Sequence, residues 1–365
     1  NFIGASPDSV FLSPDPLAYI FFIITLVLAV WILGKGVSAG IEALNKIAIP
    51  ALFLMGFVLF VRVLTIVSPT NPDYTVEKGL AFLWEPDLSG MFKSSVWLSA
   101  AGQIFFTLSL GMGAIMTYAS YVKKDEDIVL DGLATASLNE FAEVVFGSTI
   151  ALVSAVVFFG PEGAGAIAKG GAFKLGFISM PAIFSHMPFG QFFGFLWFLL
   201  LFFAGLTSVV ALAQPVVAFI EDEFNWTRKK TVITLGTFLF IAAHLPMLVS
   251  GSLDEMDFWA GTFGLVVLAL FEIIIFFWIF GGDKAWEEIT RGATIRIPRL
   301  VFYITKYVTP VFIAVILIAW AYEQLPSVLA KGGWPTWATR AFLFLLLAFN
   351  VWAVRKVWKK RRQKA

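Results

Sequence analysis

The sequence predicts an all-α protein that crosses a membrane several times. Hydrophobic residues make up 59% of its 365 residues and charged residues only 14%, whereas soluble domains carry about 25% charged residues. The apolar residues are also gathered into long runs rather than spread along the chain. A soluble core would not hide this much apolar surface, so lipid is expected to be the solvent for much of the chain.

Nine segments are long and apolar enough to cross a bilayer, which takes roughly 20 helical residues. They are residues 16–34, 43–67, 95–121, 129–159, 190–221, 230–250, 256–281, 300–322 and 338–358. Several are longer than the bilayer requires and are expected to tilt, kink or protrude. Glycines and Pro181 interrupt the apolar stretch 163–186. We predict a re-entrant pair of short helices there rather than a tenth span.

The distribution of basic residues predicts the orientation of the chain. Eighteen Lys and Arg lie in the first, third, fifth and seventh connections and the C-terminal tail, and six lie in the other connections. Because basic residues collect on the cytoplasmic side, the tail is predicted to be cytoplasmic, in a multi-pass protein of the cell (plasma) membrane. The tail "RKVWKKRRQK" is accordingly interpreted as a membrane anchor, and no nucleic-acid partner is expected.

Composition also excludes several classes of site. The chain has no cysteine and only two histidines, which rules out a disulfide framework, a Cys-ligated zinc site and a thiol nucleophile.

The first residues, "NFIGASPDSVFLSPDP", resemble a polar loop and lack the pattern of a signal peptide. The "GVSAG" of residues 36–40 matches a nucleophile-elbow pattern, but no strand is predicted before it, so we predict no enzyme.

The third predicted span contains a break. Residues 107–113 read "TLSLGMG", with glycines at 111 and 113 and hydroxyls at Thr107 and Ser109. Irregular backbone survives in a bilayer only inside protein or beside a polar cavity. Transporters use such breaks to bind ions and substrates, whereas glycines also serve as kinks and helix-packing positions. The residues alone leave both readings open.

Three other spans carry polar side chains at helical spacing. In the fourth span Asn139 and Glu143 share a face, and a carboxylate within the membrane is a functional candidate. The fifth span places Ala204, Thr207 and Ser208 together, where neutral oxygens suit Na⁺ better than Ca²⁺ or Mg²⁺. The alternatives are a packing hydrogen bond for Asn139 and back-bonding of each hydroxyl to its own helix.

The seventh span begins with three acidic residues. Asp254, Glu255 and Asp257 stand at its outer end, and Asp257 is the deepest of the three. Solvated acids are favoured at a helix start by the macrodipole, which is the alternative to a specific pairing of Asp257.

The chain resembles the neurotransmitter:sodium symporter family over essentially its whole length. The strings "GQIFFTLSLGMGAIMTYASYV", "TASLNEFAEVV", "LWFLLLFFAGLTS", "SLDEMDFWAGT" and "FFWIFGGDKAWEEI" carry the resemblance. It implies an inverted-repeat transporter fold with a discontinuous helix, with family spans four to twelve in residues 1–365. A complete second five-helix repeat is expected over 95–281, and two peripheral spans over 300–358. Residue 1 is expected to follow the family's third span.

The resemblance implies roles for several residues. The substrate-binding residues would be Phe106, as an aromatic lid, with Thr107, Ser109, Met112, Ser208 and Leu212. One sodium ion would be bound by Thr107 and Asn139, and a second by Ala204, Thr207 and Ser208. Both Na⁺ sites would also need ligands from the family's first helix, which has no counterpart in these residues. Met112 stands where the leucine-transporting members have Phe.

The resemblance implies further roles for charged and aromatic residues. Glu143 stands where chloride-dependent members carry Ser, so its charge would substitute for chloride. Asp257 would be the outer gate acid, with Phe173 of the re-entrant loop near the vestibule. Asp222 would belong to an inner gate, with Tyr121 close by.

The expected function is therefore sodium-coupled symport of neutral, hydrophobic amino acids by alternating access, independent of chloride. Its partners would be the amino acid, sodium ions and the lipid bilayer, and a homodimer is a further partner to consider. Two alternatives stay open: an inactive truncated transporter chain, and a transporter for another small zwitterionic solute.

Overall fold

A computed structural model describes residues 15–85, 88–168 and 171–363. These residues form helices joined by turns, and no β-strand occurs among them. The predicted N-terminal loop and, within the predicted re-entrant stretch, Lys169 and Gly170 lie outside the described residues.

Thirteen helices are used in the description below. In chain order they are Pro16–Gly34 (α1), Val37–Leu64 (α2), Val76–Trp84 (α3), Ser94–Thr107 (α4), Ala114–Ala119 (α5), Ile128–Ala168 (α6), Leu175–Ser185 (α7), Gly190–Phe224 (α8), Arg228–Leu248 (α9), Ser252–Ile279 (α10), Gly282–Thr290 (α11), Arg299–Ala330 (α12) and Trp334–Arg362 (α13).

Eight of the described helices are long and apolar enough to cross a membrane. They correspond to eight of the nine predicted segments. The ninth segment, 95–121, is divided into α4 and α5, so neither half reaches the length of a single span. The number of crossings therefore stays a prediction. The "GVSAG" pattern lies at Gly36 and the first turns of α2.

The chain divides into two compact units. The first comprises Asn1–Gly36, Gly90–Leu130 and Val210–Ala365, and the second Val37–Ser89 and Asp131–Val209. In the first unit α4, α10 and α12 pack around Leu98, Val266 and Trp320, which are buried. Close packing of α4 on α10 depends on Gly102, because a Cβ there would lie 2.7 Å from the Thr262 side chain.

The second unit packs α2, α6, α7 and the first part of α8 around one apolar core. That core includes the buried residues Leu59, Phe146, Val153, Ile183 and Trp197. The short α3 lies on α6 where Gly79 meets Val153, since a Cβ at Gly79 would be only 2.7 Å from that side chain.

Helix α6 bends at Gly160, about four-fifths of the way along its length. Gly160 has a φ of 74° and is followed by Pro161, and proline removes a backbone donor from the helix. The ring of Tyr74 fills the space that a Cβ at Gly160 would enter. Beyond the bend, residues 163–186 form the end of α6, a single helical turn at Gly171–Lys174, and α7. A re-entrant path for this stretch stays a prediction.

Candidate functional site

The third predicted span is interrupted where the sequence has its glycines. Helix α4 ends at Thr107 and α5 begins at Ala114. Between them Ser109 has a φ of 56°, and Gly111 and Gly113 each have a φ of 73°. Left-handed backbone costs a residue with a side chain about 1–2 kcal/mol, which explains glycine at two of these positions. The predicted discontinuous helix is confirmed.

Helix α10 of the same unit supports the break. The N–H of Gly111 donates a hydrogen bond to Oε2 of Glu272 at 3.1 Å. A Cβ at Gly111 would lie 2.6 Å from the carbonyl oxygen of Leu265 and 3.2 Å from the backbone nitrogen of Ala269. Only glycine allows the backbone of the break to approach α10 this closely. The break is therefore a packed feature of the fold, bonded to a carboxylate.

Glu272 is the functional candidate that the sequence reasoning missed. It is the one acidic residue in the run "GLVVLALFEIIIFFWIF". A lone carboxylate in the middle of an apolar span costs several kcal/mol unless it is paired or hydrogen-bonded, and this alone marks it as a candidate. Its acceptor role, however, depends on a tertiary contact with residue 111, 161 positions earlier.

Four of the predicted substrate residues lie at the break or at the end of α4 beside it. Phe106 is 48% exposed, and Thr107, Ser109 and Met112 are half-buried. The hydroxyl of Thr107 donates to the carbonyl of Ile104 at 3.3 Å. An aromatic ring, two hydroxyls and a thioether thus occupy one irregular segment, which can present both polar and apolar groups to a ligand.

The second predicted sodium site lies on α8. The hydroxyl of Thr207 is 2.9 Å from the carbonyl oxygen of Phe203 and 3.1 Å from that of Ala204. The back-bonding alternative is therefore present, but it uses only the hydroxyl hydrogen and leaves oxygen lone pairs available. Ser208 follows and is exposed. Leu212, one turn later on α8, is 42% exposed.

Asn139 and Glu143 lie on one face of α6, as their spacing predicts. The Asn139 amide Nδ2 donates to Oε2 of Glu143 at 3.4 Å, and both side chains are half-buried. The hydroxyl of Ser148 donates to the Glu143 carbonyl at 3.2 Å. The Asn139 amide therefore faces the Glu143 carboxylate with its nitrogen.

The two predicted outer-gate residues lie in different units. Asp257 is exposed and begins a wide helical turn, Asp257–Phe263, in α10 of the first unit. Phe173 belongs to the second unit, where its ring stacks on Phe177 with centroids 4.8 Å apart. Phe173 is 39% exposed.

At the predicted inner gate, Tyr121 joins a network that the sequence did not predict. Its hydroxyl accepts a hydrogen bond from Gln214 Nε2 at 3.1 Å, and Gln214 Oε1 accepts one from Arg228 at 2.9 Å. Arg228 also pairs with Glu221 at 3.2 Å and donates to the Leu33 carbonyl at 2.7 Å. Gln214 is fully buried.

Asp222 is exposed, and it is the adjacent Glu221 that pairs with Arg228. The only feature of the sequence that could have indicated this network is Gln214, a lone amide within the apolar run "VVALAQPVVAF". A buried amide requires hydrogen-bond partners, and Arg228 and Tyr121 supply them here.

Comparison with known proteins identifies relatives along the whole described chain. The sequence profile of the Sodium:neurotransmitter symporter family matches residues 17–362. A "sodium-dependent transporter" of Methanocaldococcus jannaschii is 33% identical, over 90% of this chain and 67% of its own length. The "sodium-dependent nutrient amino acid transporter 1" of Drosophila melanogaster is 26% identical, over 94% of this chain and 54% of its own length.

A solved structure matches the fold as well. The transporter MhsT, crystallised with L-phenylalanine, superimposes with a TM-score of 0.72 at 28% identity, covering 87% of this chain and 69% of MhsT. The chain thus spans between about half and two-thirds of the length of these relatives. These relatives are transporters rather than enzymes, which agrees with the absence of a predicted catalytic site. The chain belongs to the Sodium:neurotransmitter symporter family.

Proposed function

We propose that the protein is a sodium-coupled symporter that imports neutral, hydrophobic amino acids by alternating access to a site at the membrane midplane. The observation that carries this proposal is the break between α4 and α5, which places the polar groups of Thr107 and Ser109 within a spanning segment. Interrupted helices supply ligands for substrates and coupling ions in transporters of this kind. A continuous apolar helix would supply none.

Two groups of oxygens fit sodium. Thr107 in the first unit and Asn139 in the second are each proposed as a sodium ligand, and Ala204, Thr207 and Ser208 together as ligands of a further ion. The Thr207 hydroxyl lies 3.1 Å from the Ala204 carbonyl oxygen, so two neutral donors are already adjacent on α8. Neutral oxygens favour a monovalent hard cation over a divalent one. The family's first span is proposed to complete both sites.

Apolar side chains at the break and on α8 favour a hydrophobic substrate. Phe106, Met112 and Leu212 are proposed to enclose its side chain, with Phe106 as the lid. Support comes from MhsT, whose structure contains L-phenylalanine. Because Met is flexible and fills irregular gaps, we expect a range of hydrophobic amino acids rather than one.

Glu143 is proposed to make chloride unnecessary. Its carboxylate is half-buried and bonded to Asn139 at 3.4 Å, beside a proposed sodium ligand. A fixed negative charge there would balance the cation without a bound anion.

We also propose that the protein lies in the plasma membrane with its C-terminal tail in the cytoplasm. A homodimer would join two such transporters.

The test is uptake of radiolabelled L-phenylalanine and L-leucine by the complete protein in sealed vesicles. Uptake should require an inward sodium gradient, survive replacement of chloride by gluconate, and be inhibited by other hydrophobic amino acids. Equal uptake with choline in place of sodium would contradict the proposal.

The alternative of another small zwitterionic solute makes a different prediction in the same vesicles. Sodium-driven uptake of a betaine or a similar zwitterion, with no competition from hydrophobic amino acids, would favour it. The apolar side chains of Phe106, Met112 and Leu212, which are proposed to enclose the substrate, favour the larger apolar side chain.

A further inference from the structure

Arg340 of α13 forms a two-point ion pair with Glu255 of α10, within the first unit. Its Nε lies 2.9 Å from Glu255 Oε2, and one terminal nitrogen lies 3.1 Å from Oε1. The two side chains are only 10% and 22% exposed. This fork-to-fork geometry is specific to arginine, because a lysine ammonium is a single point charge.

The same guanidinium also binds the end of α12. It donates to the carbonyl oxygens of Val328 at 2.9 Å and Leu329 at 3.4 Å. Those carbonyls belong to the last turn of a helix, where the backbone carries a partial negative charge. The rings of Trp259 and Trp337 lie 6.0 Å and 5.0 Å from the guanidinium carbon. Arg340 therefore connects three helices.

Further hydrogen bonds fix the first turns of α10. Glu255 Oε2 also accepts from Trp259 Nε1 at 2.9 Å. One turn earlier, Ser252 and Thr339 share a buried hydroxyl–hydroxyl hydrogen bond of 2.8 Å. Residues 252 and 255 are three apart and share a helix face. That face is thus attached to α13 at two successive positions.

Asp257 lies on the other side of the same turns. Two residues beyond Glu255 correspond to roughly 200° around a helix, so a face held against α13 directs Asp257 away from it. Asp257 is exposed accordingly. Arg340 is already bonded to Glu255, which leaves Asp257 available to a different cation.

We propose that Arg340 is a positioning residue for the outer gate: by clamping Glu255 to α12 and α13, it holds Asp257 in the orientation from which the gate closes over bound substrate. This inference rests on the proposed function. It assigns a role in transport to the two C-terminal spans, which otherwise contribute only packing.

The test uses the complete protein in a background with no other cysteine, which the absence of cysteine from these 365 residues makes practicable. Leu253→Cys introduces a reporter thiol, since Leu253 is 44% exposed and lies four residues before Asp257, on the same face. A membrane-impermeant maleimide then reports whether the outer gate is closed. Dissociation of labelled L-phenylalanine is measured in parallel.

In the parent protein, sodium with L-phenylalanine should protect the thiol. Arg340→Lys should abolish most of this protection and raise the substrate dissociation rate about five- to tenfold. We expect KM to rise with kcat nearly unchanged, because only closure over the substrate is impaired. Arg361→Lys is the matched control. Arg361 also pairs with a glutamate on another helix, Glu223, but it lies near the opposite end of α13 from Arg340.

Glu255→Gln provides a second variant if Arg340→Lys does not fold. Glutamine keeps one acceptor oxygen, for Arg340 Nε and Trp259, but its amide nitrogen cannot accept from the terminal nitrogen of Arg340, and the charge is lost. A change in the same direction is therefore expected. Protection and dissociation rates equal to those of Arg361→Lys, in either folded variant, would overturn the inference. A parent protein with no sodium-dependent substrate binding would instead contradict the proposed function.

Discussion

The backbone N–H of Gly111 donates a hydrogen bond to the carboxylate of Glu272 at 3.1 Å. The two residues join the interrupted α4–α5 segment to the middle of α10. A charge-assisted hydrogen bond satisfies a backbone group that the break has released, in a setting where water is scarce. This bond explains how a segment that is predicted to cross the membrane can be irregular without being unstable.

Gly111→Ala should disable the protein, whereas Gly113→Ala should be far milder. Both glycines have a φ of 73°, but a Cβ at Gly111 would lie 2.6 Å from the Leu265 carbonyl oxygen, and a Cβ at Gly113 would meet nothing within 4 Å. The left-handed backbone costs about 1–2 kcal/mol in both variants, and the overlap adds about 1–3 kcal/mol at 111 alone. Thermal unfolding in detergent and sodium-dependent uptake measure the difference. Equal losses would contradict the close contact with α10.

Glu272→Leu should reduce uptake much more than Glu272→Gln. Leucine removes the acceptor and leaves the Gly111 N–H unsatisfied, at a cost of about 1–3 kcal/mol, or roughly a five- to 150-fold loss. Glutamine retains an acceptor oxygen and should preserve most of the uptake. The initial rates of uptake by the two variants are compared at a fixed sodium concentration. A leucine variant as active as the glutamine variant would show that Glu272 has no role in the site.

Glu143→Ser should make transport depend on chloride. Loss of the carboxylate removes the charge proposed to balance sodium near Asn139, and a bound chloride can replace it. Uptake by the variant is measured in chloride and in gluconate, with the parent protein as the control. An active variant indifferent to chloride would count against this role.

Asp127 should stabilise the fold at any pH at which its carboxylate is ionised. The Thr294 hydroxyl and N–H donate to its carboxylate at 2.5 Å and 2.7 Å, and Leu130 N–H donates at 2.9 Å. The bond from the Thr294 side chain is the main reason that the pKa of Asp127 is lowered. The pKa of Asp127 is therefore lower in the folded protein than in the unfolded chain, where it is about 3.9. The stabilisation that ionised Asp127 gives the fold is present above this unfolded-state pKa and is lost as the pH falls through the folded-state pKa.

Asp127→Asn tests this dependence. The parent protein should unfold at a slightly higher temperature than the variant at pH 6, and the difference should shrink as the pH falls below 4. The effect is expected to be small because Asp127 is only half-buried, so solvent screens its charge. A difference that is constant from pH 6 to pH 3 would exclude ionisation of Asp127 as its cause.

The sequence predicted the local features of the protein well. Helix α1 has the predicted bounds, and the shared face of Asn139 and Glu143 was predictable from spacing alone. The glycines marked residues 107–113 as irregular, but the residues alone did not distinguish a break from a kink or a packing position. Helix α12 was predicted to end at 322 but continues to Ala330, because the polar residues and Pro326 of "YEQLPSVLA" conceal a helix that hydropathy does not detect.

The tertiary connections were not predictable in the same way. Glu272, Gln214 and Arg340 each stood out only as a polar residue in or beside an apolar run. Their partners lie 161, 93 and 85 positions away in the chain, at Gly111, Tyr121 and Glu255. Periodicity within a helix contains no information on which distant helix a face will meet.

The proposed function depends on sodium binding on α8 and on the coupling of that sodium to the substrate. The most direct measurement is equilibrium binding of labelled L-phenylalanine as sodium is varied, in Thr207→Ala combined with Ser208→Ala. Thr237→Ala is the matched control, because the Thr237 hydroxyl also bonds a carbonyl of its own helix, at 2.9 Å, but in α9.

We predict that the double variant needs at least about tenfold more sodium for half-maximal binding, which corresponds to about 1.4 kcal/mol. Thr237→Ala should match the parent protein. A double variant with the sodium dependence of the parent would contradict the assignment of sodium to α8.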